Sequence, residues 1–169
     1  MEKHLVIDHV KFSYEGLFNP AELYNVVAQW FYDKGWDWWE KKNQEMSLPS
    51  GKQIYLILEP WKSVSDYYKL QLKLKIIMID MKEVEVEHDG KPVKLMQGVV
   101  RMTIDGWLLS DREKKWNNQP ILWFLSFVLE KYFFKRHFEK FVTWLKSDAD
   151  DVYTHVKNYL NTFKYTYQH

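Results

Sequence analysis

Cysteine is absent from the 169 residues, which excludes a disulfide framework and a thiolate zinc site together. Glycine and proline are scarce, at six and five residues, and no Pro/Gly/Ser-rich linker, low-complexity tract or internal repeat divides the chain, so a single domain over residues 1–169 is expected. An excess of charge is missing as well. The net charge is +1, whereas a dedicated nucleic-acid binder carries a basic surplus, because phosphate contacts dominate its affinity. The longest apolar run, residues 121–129, is interrupted by Ser126 and falls well short of the ~20 residues that span a bilayer. The opening stretch, with Glu2, Lys3 and His4 before Leu5 and Val6, lacks the apolar core of a secretory leader. These absences point to a soluble, cytoplasmic protein without nucleic acid as its partner and without a transmembrane segment.

Chemical motifs are missing too. No glycine-rich phosphate loop and no G-x-S-x-G nucleophile elbow occurs, and Gly98 alone makes neither. The six histidines form no His-x-x-x-His pair, so no metal or other cofactor is implied.

Aromatic residues, by contrast, are plentiful. They make up 18% of the chain, nine of them tryptophan, and rings of this size supply a thick core despite a high content of charge. Val6, Val10, Phe12 and Tyr14 alternate with His9, Lys11 and Ser13 as a strand. Asn19-Pro20-Ala21-Glu22 is a helix start, with Asn19 as cap and Pro20 at the first helical position. Leu23, Val26, Val27, Trp30 and Phe31 follow at helical spacing until Gly35.

From Trp36 to Leu109 the pattern is of strands. Leu48-Pro49-Ser50-Gly51 and residues 63–66 are turns. Tyr68, Leu70, Leu72, Leu74, Ile76 and Met78 alternate strictly with Lys69, Gln71, Lys73 and Lys75, which predicts one buried and one wet face. Tyr67 and these lysines could make a basic, aromatic stripe of the kind that holds single strands. Glu83, Glu85 and Glu87 continue the same alternation and reverse its sign, so a solvated face is expected.

His88-Asp89-Gly90-Lys91 is a two-residue hairpin turn. Uninterrupted pairing from that turn would set Met78 opposite Arg101 and expose Val100, Met102 and Ile104. A bulge must therefore restore the faces, either between Asp80 and Glu83 or at Gln97-Gly98. Asp8 and Asp80 both fall on apolar strand faces. Each is either turned outward at a bulge or part of a shared acid–base site, as in a small hydrolase or cyclase.

After the polar stretch 111–118, a long helix is expected from Pro120 to about Lys146, followed by a third helix that Ser147-Asp148-Ala149-Asp150 would cap. Phe127, Phe134, Phe138 and Phe141 are assigned to the sheet, against Leu70, Leu72, Leu74 and Ile76. Leu122, Leu125, Leu129 and Phe133 lie on the opposite side of the same helix. The third helix, a second subunit or a membrane surface would have to cover them.

This order, a strand, a helix, several antiparallel strands and a long C-terminal helix, resembles the helix-grip fold of the START/Bet v 1-like superfamily. The chain departs from it in an added helix after Ser147 and in lacking the glycine-rich loop of plant members. The expected class is α+β: a curved antiparallel sheet packed against a long C-terminal helix, with one N-terminal helix and one added C-terminal helix. The resemblance implies a non-catalytic protein that holds a hydrophobic small molecule or lipid between sheet and long helix. Trp30, Tyr68, Asp80, Trp123 and Phe127 would be its wall and polar anchor. The alternative is an assembly protein whose leucine face forms a homodimer or partner surface.

Overall fold

A computed structural model describes residues 2–110 and 135–167. Its sheet is antiparallel, curved and six-stranded. Strand β1 (Glu2–Phe18) leads into helix α1 (Pro20–Asp33), and strands β2 (Glu40–Leu48), β3 (Gly51–Leu58), β4 (Trp61–Ser63), β5 (Tyr68–His88) and β6 (Lys91–Ser110) follow. Helix α2 (Lys135–Tyr167) comes last. The strands lie in the order β1-β6-β5-β3-β2, with β4 paired to β5.

The α+β class and the sheet-on-helix packing agree with the sequence pattern. Asn19 caps α1, its side-chain oxygen accepting from the backbone N–H groups of Ala21 and Glu22 at 3.1 and 3.4 Å. Leu23, Val27, Trp30 and Phe31 form its buried stripe. The chain leaves α1 through Gly35 at φ 75°, a left-handed conformation that glycine adopts without steric cost. Asp89 and Gly90, at φ 54° and 76°, make the tight turn between β5 and β6.

Register explains how two apolar strands of different phase share one core. Ile79 pairs with Val99 and Lys82 with Gln97, so Asp80 and Met81 together face the single residue Gly98. The bulge stands where the hairpin arithmetic requires it. Met78 then pairs with Val100 and Ile76 with Met102, and all four are buried. Glycines make room for the kink on both sides. A Cβ on Gly98 would lie 2.8 Å from the Ile79 carbonyl oxygen, and one on Gly51 would lie 2.9 Å from that of Met81.

The bulge also corrects an expectation. Beyond it the residues that share each face are exchanged: Glu83 pairs with Met96, which lines a groove beside α1, while Val84, Val86, Val93 and Leu95 pack against Phe163 and Tyr159 of the C-terminal helix. Glu83, Glu85 and Glu87 therefore do not continue the face of Lys69, Lys73 and Lys75.

Helix α2 runs without a break through Ser147. The expected third helix is its continuation, because Phe141, Leu145, Ala149, Val152, Val156 and Leu160 hold one buried stripe across the presumed cap. Residues 147–167 prolong the α2 axis and do not fold back over it. Helix α1 and the segment that follows it are tied to residues 148–159 of α2. The Trp30 indole donates to Asp151 at 2.8 Å, that of Trp36 to Asp148 at 3.2 Å, and the Tyr159 hydroxyl to Glu22 at 2.9 Å.

Leu70, Leu72, Leu74 and Ile76 belong to the main core together with Phe141, as their alternation predicts. Phe138 is only half-buried, edge-on to the rings of His4 and Tyr68. Phe127 and Phe134 lie outside the described residues.

Tyr14 ties the end of β1 to the core and carries a pH dependence. Its buried hydroxyl donates to the Leu17 carbonyl at 2.7 Å, and burial pushes the phenol above its ordinary value of 10.0. In the window above the ordinary value the unfolded chain gives up this proton while the native state keeps it. Stability is thus unaffected below pH 10 and falls as pH rises through the alkaline range. Urea midpoints at pH 9 and pH 11 should fall less in Tyr14→Phe than in the wild type; an equal loss would show that Tyr14 is not the group responsible.

Candidate functional site

Among the described residues, two of the grooves between sheet and helices have predominantly apolar walls. The larger, about 440 Å³, lies beside the start of α1 over strands β2, β3, β5 and β6. Ile54, Leu56, Met78, Met81 and Met96 make its floor, because the Asp80–Met81 bulge returns Met81 to the same face as Met78. Asn43, Glu45 and Lys52 from the β2–β3 hairpin, with Asn19 and Asn25 from the α1 side, form a polar rim. Tyr24 closes one wall and donates its hydroxyl to Glu40 at 3.1 Å. Burial, and then the hydrogen bond and charge of Glu40, hold its phenol above the ordinary value. The ring therefore enters the groove as a neutral group at physiological pH. Three thioethers in one floor give a surface that adapts to the shape of an apolar guest.

The second groove, about 380 Å³, separates β1 from α2 and is lined by Val6, Ile7, Asp8 and Val10 on one side and Lys146, Ala149, Asp150 and Tyr153 on the other. It borders another bulge. Ile7 pairs with Gly106 and Val10 with Ile104, leaving Asp8 and His9 opposite Asp105. His9 takes φ 51°. Its backbone N–H donates to Asp105 Oδ1 at 2.7 Å, and its Nδ1 lies 2.6 Å from the same oxygen and 2.8 Å from Asp8 Oδ1. Asp105 is buried, so these bonds are what makes its carboxylate tolerable there.

Among the described residues this is the one cluster of three His, Asp or Glu side chains able to offer ligand atoms within 4.8 Å of one another. Two carboxylates and one imidazole could take a divalent ion of the borderline class, completed by water. The clamp is equally complete as a hydrogen-bonded bulge.

Of the expected site residues, the three that are described, Trp30, Tyr68 and Asp80, stand apart from one another. Trp30 is buried and spends its indole N–H on Asp151. Tyr68 is buried against Phe138 and Phe141. Both are core and line neither groove. Asp80 is exposed at its bulge with φ 54°, next to the groove only through Met81. Asp8 is exposed as well. The hydrolase or cyclase pairing of Asp8 with Asp80 fails on distance. Their bulges stand opposite Asp105 and Gly98 of β6, about 23 Å apart at the rise of a strand. Trp123 and Phe127 lie outside the described residues, as does the proposed assembly face of Leu122, Leu125, Leu129 and Phe133.

Sequence reasoning missed the methionine floor and the His9–Asp105 clamp. The first could have been found by carrying the required bulge through to Met81 and Met96. The second depends on β1 pairing with β6, for which the sequence carries no local signal. Among the described residues no helix is long and apolar enough to cross a membrane. Comparison of the chain with protein-family models, with curated proteins and with solved structures gives no match.

Proposed function

We propose that the protein is a non-catalytic binder of a hydrophobic small molecule with one polar end, held in the methionine-floored groove beside α1. The observation that carries this is the groove itself. Its volume of about 440 Å³ and its apolar floor with a convergent polar rim are what a small-ligand site requires. The ligand's apolar body would lie on Ile54, Met78 and Met96, and its polar end among Asn43, Lys52 and Tyr24. The packing of a curved sheet on a long C-terminal helix supports a helix-grip arrangement, in which a guest sits on the concave face. Here the guest lies beside α1 instead of under the long helix, so Trp30 and Tyr68 play no part in contacting it.

Native mass spectrometry of freshly purified protein reports any retained guest, and titration with a dansylated fatty acid measures the site. Wild-type protein should bind one equivalent. Met96→Arg, which sets a charge on the floor, should weaken binding by about tenfold or more, the charge being costly to desolvate. An affinity that Met96→Arg leaves unchanged would refute the assignment.

A further inference from the structure

We infer that the face of the sheet opposite helix α1, over the stretch of β5 before the Asp80–Met81 bulge, is a docking surface for single-stranded nucleic acid. The cross-strand pairs place Lys69, Lys73 and Lys75 of β5 on one face with Arg101 and Trp107 of β6 and Tyr55 of β3. Trp61 of β4 joins them opposite Gln71. Cations and rings are interleaved. The Lys69 ammonium lies 4.8 Å from the centroid of Trp61, that of Lys75 5.2 Å from Tyr55, and that of Lys3 4.1 Å from Trp107.

The charge of this face is not cancelled along the strand. The Asp80–Met81 bulge sends Glu83, Glu85 and Glu87 to the opposite face, and Asp105, the carboxylate opposite Lys73, is turned to His9. Among the described residues no ion pair engages Lys69, Lys73, Lys75 or Arg101. A protein of net charge +1 thus concentrates cations on one side, and what complements that side is a polyanion.

Three rings among the cations narrow the partner. A plain anionic surface needs charge only, whereas unpaired bases need flat partners at the spacing of a few strands. Lys69, Lys73, Lys75 and the three rings are half-buried and Arg101 is exposed, and lysine–ring contacts that remain in touch with solvent are weak and exchangeable. Each ammonium can move to a phosphate and leave its ring to a base. This surface lies on the side of the sheet opposite the groove of the proposed small-molecule site and is independent of it.

Fluorescence anisotropy with labelled 20-residue oligo(dT) and oligo(rU), at several salt concentrations, tests the inference. Binding should be saturable and weaken with salt. Lys73→Gln with Lys75→Gln should flatten the logarithmic salt dependence by about 1.4, at roughly 0.7 per phosphate contact on a single strand. Trp107→Leu should lower affinity about tenfold with the salt slope unchanged, as the loss of one stacked base does. Circular dichroism confirms that each variant is folded. The proposal is overturned if neither oligonucleotide binds at 50 μM protein in low salt, or if the lysine variant binds as the wild type does. An affinity insensitive to Trp107→Leu overturns it too, by leaving a surface that reads charge alone. Binding to vesicles containing phosphatidylserine, but not to the oligonucleotides, assigns the face to a membrane instead and likewise overturns it.

Discussion

Replacing Phe31 with alanine should cost about 3–5 kcal/mol of unfolding free energy, the range for a fully buried phenylalanine. Phe31 has no exposed surface. Its ring stands edge-on to Trp30 and Trp36, with centroids 4.8 and 5.6 Å away, and tilted against Trp38 at 6.0 Å. Removing it leaves a void walled by three indoles that are themselves held in place. Trp30 and Trp36 donate to Asp151 and Asp148, so their collapse into the space would break bonds to α2. Against a typical domain stability of about 5–15 kcal/mol, such a loss is large. The neighbouring Tyr32→Ala is the control. Tyr32 is 79% exposed, and its truncation should stay within about 0.5 kcal/mol. Urea denaturation distinguishes the two, with a lowered midpoint and unchanged slope expected for Phe31→Ala. Equal effects from both substitutions would refute the placement of the core beneath α1.

Gly98→Val should destabilise the protein by about 1–3 kcal/mol, the usual cost of forced overpacking. Here the obstruction is mostly main chain. A Cβ at residue 98 lies 2.8 Å from the Ile79 carbonyl oxygen and 3.1 Å from Met81 Cα, and neither can rotate aside as a side-chain end would. The bulge must open, which draws Met81 away from the groove floor. Two readouts should therefore move together. The melting temperature should fall by about 2–4 °C per kcal/mol for a chain of this size, and binding of the dansylated fatty acid should weaken. Gln97→Ala, an exposed neighbour on the same strand, should change neither. A Gly98→Val protein as stable as the wild type would show that β5 and β6 do not approach as closely as described.

These two positions illustrate what was legible in the sequence. The alternation of Tyr68 through Met78 fixed the buried face of β5, since a period of two with lysines between leaves a single solution. The bulge was legible as well, from register counted back from the Asp89-Gly90 turn. The cap at Ser147 misled because a local preference for ending a helix is worth about 1 kcal/mol. The apolar stripe from Phe141 to Phe163 outweighs it by burying several large side chains. The site was less legible than the fold. Trp30 and Tyr68 have the character of lining residues, yet rings are used as often to fill a core. Only the position of α1 over the sheet decides which residues face a groove. Met78, Met81 and Met96 are separated by a hairpin and a bulge, and nothing in their spacing brings them together until the register is known.

The pairing of β1 with β6 has a consequence for the order of folding. Phe18 pairs with Met96 and Glu2 with Ser110, so this ladder closes over 78 to 108 residues, whereas β5 and β6 are joined by a turn of two. Closing the longer loop costs more chain entropy before any contact repays it, and contacts so distant in sequence form slowly. The β5–β6 hairpin is the natural nucleus, and β1 docks late together with α2. During synthesis β1 leaves the ribosome before the other strands of this sheet and waits longest for its partner, a free strand beside other free strands. Its interruption at Asp8 and His9 then serves a second purpose. A bulge carrying charge in mid-strand shortens the stretch on which another chain could pair, and so guards β1 for as long as β6 is unfinished.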